Sequence, residues 1–138
     1  MKAKLILAES ATLHPDGTVS MLRAGITRLW SPEVPVVFRA SLVVRIEAEA
    51  AERGKNEFEI HCINEDGKDQ LSQIKGQFDS PKGGGDHQLI MAIQSKLSNF
   101  GLYQFNILIN KVCLDSWNLI VARPEVKHDD DASGSISN

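Results

Sequence analysis

The sequence predicts an all-β fold, an antiparallel β-sandwich of about eight strands in an immunoglobulin-like or Greek-key arrangement. Three observations predict it. Short apolar runs alternate with polar residues at period two, turn residues separate them, and no long segment carries the 3.6-residue period of a helix. The clearest stretch is Gly101–Val121, GLYQFNILINKVCLDSWNLIV. Tyr103, Phe105, Ile107 and Ile109 form one row, and Gln104, Asn106 and Asn110 face the other way. Asn110-Lys111 turns the chain, and Leu114, Trp117, Leu119 and Val121 return. A lone hairpin is marginal in water. Its inward row is therefore expected to be the central layer on which Leu42, Val44, Ile46, Phe58 and Ile60 pack.

The other elements follow in order. Lys2–Glu9 reads as an N-terminal strand, with Ala3, Leu5 and Leu7 on one face. His14-Pro15-Asp16-Gly17 is a turn, because Pro presets φ and Gly accepts a positive one. Thr18–Leu22 is a short strand, Gly25 marks a bulge or bend, and Ile26–Trp30 resumes extended chain up to Ser31-Pro32. Val36–Ala48 is the longest strand candidate. Glu47–Arg53 has helix-forming residues but spans barely two turns, so it reads as strand end plus loop closed by Gly54. Asn56–Gly67 places Phe58, Ile60 and Cys62 inward and ends in an Asp66-Gly67 turn. Asp69–Phe78, less apolar and interrupted by Gly76, reads as an edge strand. Pro81–Asp86 is a loop, and Leu89–Ile93 is a short strand between glycine-rich segments.

Charge and composition exclude several classes. The chain of 138 residues carries a net charge of −3, with Asp129, Asp130 and Asp131 in a tail after the last apolar run. Without those three, 15 acidic residues balance 15 basic ones. A neutral body lacks the concentrated positive charge that nucleic-acid binding rests on. Arg23, Arg28, Arg39 and Arg45 read as scattered surface residues. No apolar run approaches a membrane span, and Leu5–Ala8 is too short for a secretory core. A cytoplasmic protein is the resulting expectation. Cys62 and Cys113 lie in strands, lack metal-ligand spacing and read as buried free thiols. Residues 1–124 are expected to form one sandwich domain, and 125–138 a disordered acidic tail.

The segments LAESATLHPDGT, VSMLRAGITRLW, LVVRI, INEDG and GLYQFNILIN together resemble a family of small bacterial proteins catalogued as a domain of unknown function. The resemblance spans about residues 3–122. It implies a single β-sandwich and supplies no catalytic residues. The chain departs from that family at Asn110-Lys111, where an Asp-Gly-type turn is common.

Candidate chemistry is sparse. Glu57, Glu59 and His61 share one strand face at ~7 Å steps, a donor set suited to zinc or manganese if a neighbouring strand adds a ligand; otherwise it is a solvated face. Gly83-Gly84-Gly85 lacks the Gly-Lys-Ser/Thr of a phosphate loop, and Asp86 after it would repel phosphate. Ser10 has no glycine elbow. His14, in its turn, and Trp30, ahead of Ser31-Pro32, are the candidate ligand-binding residues. No cofactor is indicated. The sequence thus favours a non-enzymatic binding or assembly module that takes a protein partner or self-associates, with Leu108 and Val43 as exposed apolar positions and Asp69–Phe78 as the docking edge. A small-ligand- or metal-binding sandwich is the alternative.

Overall fold

The computed structural model describes residues 1–71 and 74–125. Among them run nine strands: β1 (Lys2–Leu13), β2 (Val19–Ala24), β3 (Arg28–Trp30), β4 (Val36–Ala48), β5 (Gly54–Ile63), β6 (Ile74–Ser80), β7 (Gly85–Leu97), β8 (Gly101–Ile109) and β9 (Val112–Ala122). They form a four-stranded sheet, β2-β1-β4-β7, and a five-stranded sheet, β3-β9-β8-β5-β6. The fold is all-β and sandwich-like. Neighbouring strands pair antiparallel except β3 and β9, which run parallel from Arg28↔Ile120 to Trp30↔Ala122. Among the described residues, no helix is long and apolar enough to cross a membrane.

Alternation builds the core. Leu5, Leu7, Leu42, Val44, Ile46 and Leu97 project from the first sheet against Ile60, Cys62, Tyr103, Phe105, Ile107 and Leu119 from the second. Removing these side chains from water is the main favourable contribution to the fold. Where β1 nears β9, Asp115 Oδ2 accepts a hydrogen bond from Leu5 N at 2.8 Å, tying the sheets together along that side. At the start of β8, the Tyr103 hydroxyl donates to Asn99 O at 2.8 Å and accepts from Asn99 N at 3.1 Å.

Several expectations change. There are nine strands where about eight were expected, and β1 runs past the expected Glu9 to Leu13, pairing with the expected short strand, β2. Gly25, at φ 89°, is the bend rather than the bulge of its two expected forms: its N–H still bonds Leu7 O before the chain leaves for the second sheet. Ala50–Glu52 forms a single 3₁₀ turn, closed by the Glu52 side chain accepting from Glu49 N. β7 extends far beyond Leu89–Ile93 and pairs with β4 along its length, from Val36↔Leu97 to Ala48↔Gly85. Val43 is 3% exposed, not an open apolar position. It stands on the outer face of an interior strand, between Ile6 of β1 and Ile90 of β7. Leu108 is half-buried. Cys113 is exposed, while Cys62 is buried; both are free. The tail expectation lies outside the described residues from position 126 onward.

Candidate functional site

Glu57, Glu59 and His61 do share the outer face of β5, but the structure does not converge them on one point. His61 Nδ1 lies 2.8 Å from Asp69 Oδ2, and its Nε2 lies 3.4 Å from Glu59 Oε1. Glu57 stands apart; its backbone N–H donates to Asn110 Oδ1. Both imidazole nitrogens thus face carboxylates, which a metal would have to displace. Among the described residues, no three His, Cys, Asp or Glu side chains gather in a metal-holding arrangement. The Asp69 hydrogen bond, against a lesser effect of burial, raises the pKa of His61 above its ordinary value, with Glu59 adding to it. Burial works to raise the Asp69 carboxyl, but hydrogen bonds from His61 and from the N–H groups of Leu71 and Cys62 outweigh it and hold the pKa low. Burial, with the Asp69 charge behind it, pushes the Cys62 thiol up to about 12. Asp69 is therefore a structural organiser of the β5–β6 connection as much as a partner for His61.

His14 closes the turn between β1 and β2. Its Nε2 meets Ser20 Oγ at 2.7 Å, and Asp16 accepts from the Thr18 N–H and hydroxyl. Trp30 is elsewhere, at the end of β3, and is 56% exposed. The two candidate ligand residues therefore do not share a site.

Trp30 belongs instead to a groove of about 470 Å³ opening where the chain crosses from β2 to β3. Arg23, Arg28 and Arg39 line it, together with Glu9 and an apolar floor that includes Leu29 and Phe38. The Arg28 guanidinium sits over the Trp30 ring at 5.7 Å, a cation–π contact. Arg39 Nε donates to Gln94 Oε1 at 2.9 Å. Arg23 holds a left-handed backbone at φ 48°, a strained conformation for a residue with a side chain. Ion pairs among the described residues join Met1–Glu52, Arg45–Asp86, His61 to its two carboxylates, and Lys75–Glu59, so none takes in these three arginines. Arg45 is the one that does not join the group. The arginines come from β2, β3 and β4, and only the crossing brings them together, so no local sequence pattern announces the groove.

The second open feature is the β2 edge. Five of its six residues are exposed, among them Met21 at 41% and Leu22 at 64%, and Leu13 across the hairpin is 51% exposed. At the other end of the molecule β6 is also an edge, shifted from the expected Asp69–Phe78 to Ile74–Ser80. Its outward residues Lys75, Gln77 and Asp79 are polar, a composition that discourages pairing. β2 has no such guard beyond Arg23.

Comparison with known proteins places the chain. A family of unknown function, DUF6941, matches residues 4–122. The chain belongs to that family. Among curated proteins there is no match. Two solved structures are similar. A β-glucosidase from Listeria innocua in complex with isofagomine aligns with 91% of this chain and 17% of its own, at 11% identity and TM-score 0.52. The Pseudomonas fluorescens alkylpurine DNA glycosylase AlkC, bound to DNA containing an abasic site analog, aligns with 87% of this chain and 30% of its own, at 9% identity and TM-score 0.37. The chain therefore spans less than a third of either protein. The first likeness shows a shared fold.

Proposed function

We propose that this protein is a non-enzymatic binding or assembly module on an immunoglobulin-like sandwich, and that it self-associates through the β2 edge. Two observations support the immunoglobulin-like reading. Strands B and E of such domains lie in one sheet and C, F and G in the other; β4-β7 and β5-β8-β9 reproduce those neighbours. Tyr103, near the start of the strand in the F position, bonds back to Asn99 as a tyrosine corner does. Phe105 fills the position two residues on, where antibody domains carry the second disulfide cysteine. A cytoplasmic setting agrees with two free cysteines, and a bacterial source rests on the family resemblance alone.

The observation that carries the function is the β2 edge, where large apolar side chains stand beside backbone groups without a strand partner on one side. A second copy is the occupant that fits. Two β2 strands related by a two-fold axis would pair antiparallel, satisfy each other's N–H and C=O groups, and bury Leu22 and Met21 symmetrically. Light scattering and sedimentation over a wide concentration range test this. The wild type is expected to dimerise, and Leu22→Lys to be monomeric, with an unfolding transition that matches that of wild type diluted until it is monomeric. A wild type that stays monomeric at high concentration ends the proposal.

A further inference from the structure

β3 is an open sheet edge as well as one wall of the arginine groove. It closes the five-stranded sheet at one end and runs parallel to β9, from Arg28↔Ile120 to Trp30↔Ala122. Thr27 O accepts from Ile120 N, and Ser31 N donates to Ala122 O, both at 2.9 Å. Successive residues of a strand point their backbone groups to opposite sides, so Thr27, Leu29 and Ser31 face β9. The N–H and C=O groups of Arg28 and Trp30 therefore point away from the sheet, and among the described residues no strand pairs with them.

The side chains around that edge define the chemistry of a partner. Arg23, Arg28 and Arg39 line the groove, and no ion pair among the described residues engages them. Guanidinium forks take carboxylates in planar, bidentate pairs. Glu9 offsets part of the charge, which leaves the groove positive within a chain of net charge −3. Trp30, 56% exposed, adds apolar surface beside the arginines, as do Leu29 and Phe38 in the floor. Arg23 is held at φ 48°, and backbone strain of this kind gathers at binding sites.

We infer that β3 takes an extended acidic segment of a partner protein as an added strand. Its backbone pairs with Arg28 and Trp30, and its carboxylates meet the three arginines. Main-chain pairing supplies affinity at this edge, and the arginines select an acidic chain over a neutral or basic one. A nucleic acid carries comparable charge but has no peptide N–H and C=O groups to complete the sheet. β2 belongs to the other sheet, so a protein that stays monomeric leaves the β3 edge open and this inference standing.

The probe is a capped hexa-glutamate peptide, added to the full chain at protein concentrations where light scattering finds a single species. Amide hydrogen exchange, followed by NMR, reads the strand pairing. With peptide at about ten times its Kd, the Arg28 and Trp30 amides are expected to exchange roughly tenfold more slowly, while that of Leu29, already turned toward β9, keeps its rate. Arg23→Gln, Arg28→Gln and Arg39→Gln should each weaken binding by about three- to fivefold, a loss that shrinks in high salt. Lys75→Gln, which removes the same charge at the opposite edge of the sheet, should leave the affinity unchanged. A peptide that fails to bind overturns the inference, and so does binding that leaves the Arg28 and Trp30 amides unprotected or is indifferent to the three arginine variants. Equal affinity for a hexa-glutamate methylated at every backbone nitrogen would show attraction of charge without an added strand, and would also overturn it. Tighter binding of a single-stranded oligothymidylate than of the peptide would assign the groove to nucleic acid instead.

Discussion

Asp69 raises the pKa of His61 above 6.5 through a 2.8 Å hydrogen bond, while burial against Phe78 at 4.8 Å lowers that of His87 below 6.5. The two act on stability with opposite signs. A raised histidine pKa favours the native state below pH 6.5, and that contribution is lost as pH climbs through the folded value. A lowered one costs stability as pH falls through 6.5, because the unfolded chain then takes up the proton first. Asp69→Asn keeps an acceptor for the N–H groups of Cys62 and Leu71 but removes the charge. The stability gap between wild type and this variant should be wider at pH 5.5 than at pH 8.5 in urea titrations. Among the described residues, neither ring nitrogen of His87 has a hydrogen-bond partner. His87→Phe should therefore stabilise by about 1 kcal/mol at neutral pH, and by more in acid. A variant no more stable than wild type at pH 5.5 would show that His87 is solvated. The two thiols separate just as clearly. Cys113 should react with a disulfide reagent in the native protein, and Cys62, with its pKa pushed to about 12, only after unfolding.

At the scale of the strand and turn, the β8–β9 connection is the most instructive. Asn110 and Lys111 both sit at positive φ, 50° and 68°, the pair of angles a type I′ hairpin turn requires. Asn tolerates that region; Lys does so at a cost of about 1 kcal/mol or more. Lys111→Gly should raise stability by about 1 kcal/mol in equilibrium unfolding, with no change in the denaturant slope. The β5–β6 pair shows the converse. A Cβ on Gly76 would lie 2.5 Å from the Phe58 ring, which covers that position across the strands. Gly76→Ala should cost about 1–3 kcal/mol by forcing the ring out of place. These elements also mark where sequence reading succeeds. β5 and β8 are legible because each has one wet and one buried face, so polarity alternates cleanly. β7 is not, since Leu89, Ile93 and Leu97 fit a helical spacing as well and the adjoining glycines hide its start. Val43 misleads for a related reason: the outer face of an interior strand is shaded by Ile6 and Ile90, which periodicity cannot see.

For the molecule as a whole, topology decides which residues meet. Alternation reports which side chains turn inward, and it identified Tyr103, Phe105 and Ile107 against Leu42, Val44 and Ile46. It carries no information on the crossing from β2 to β3, and hence none on the arginine groove or on the parallel pairing of Arg28 with Ile120. That non-local pairing has a consequence for stability. β3 and β9 lie at opposite ends of the sequence yet share a sheet, and both sheets draw on one core cluster. Neither sheet can keep its buried face covered once the other departs, so unfolding should be a single cooperative step. Phe105 is fully buried at the level where antibody domains rely on a covalent bridge, and no disulfide supports it. Phe105→Ala should cost about 3–5 kcal/mol, a large share of the roughly 5–15 kcal/mol that holds a native domain together. In a urea titration of a Trp30→Phe background, far-UV circular dichroism reads both sheets, and the fluorescence of Trp117, then the sole tryptophan, reads the packing of β9 against the Ile26 segment. The two signals should move together in that background and shift together to lower urea when Phe105→Ala is added. Separate midpoints would mean that one sheet survives without the other, and would overturn the view of a shared core.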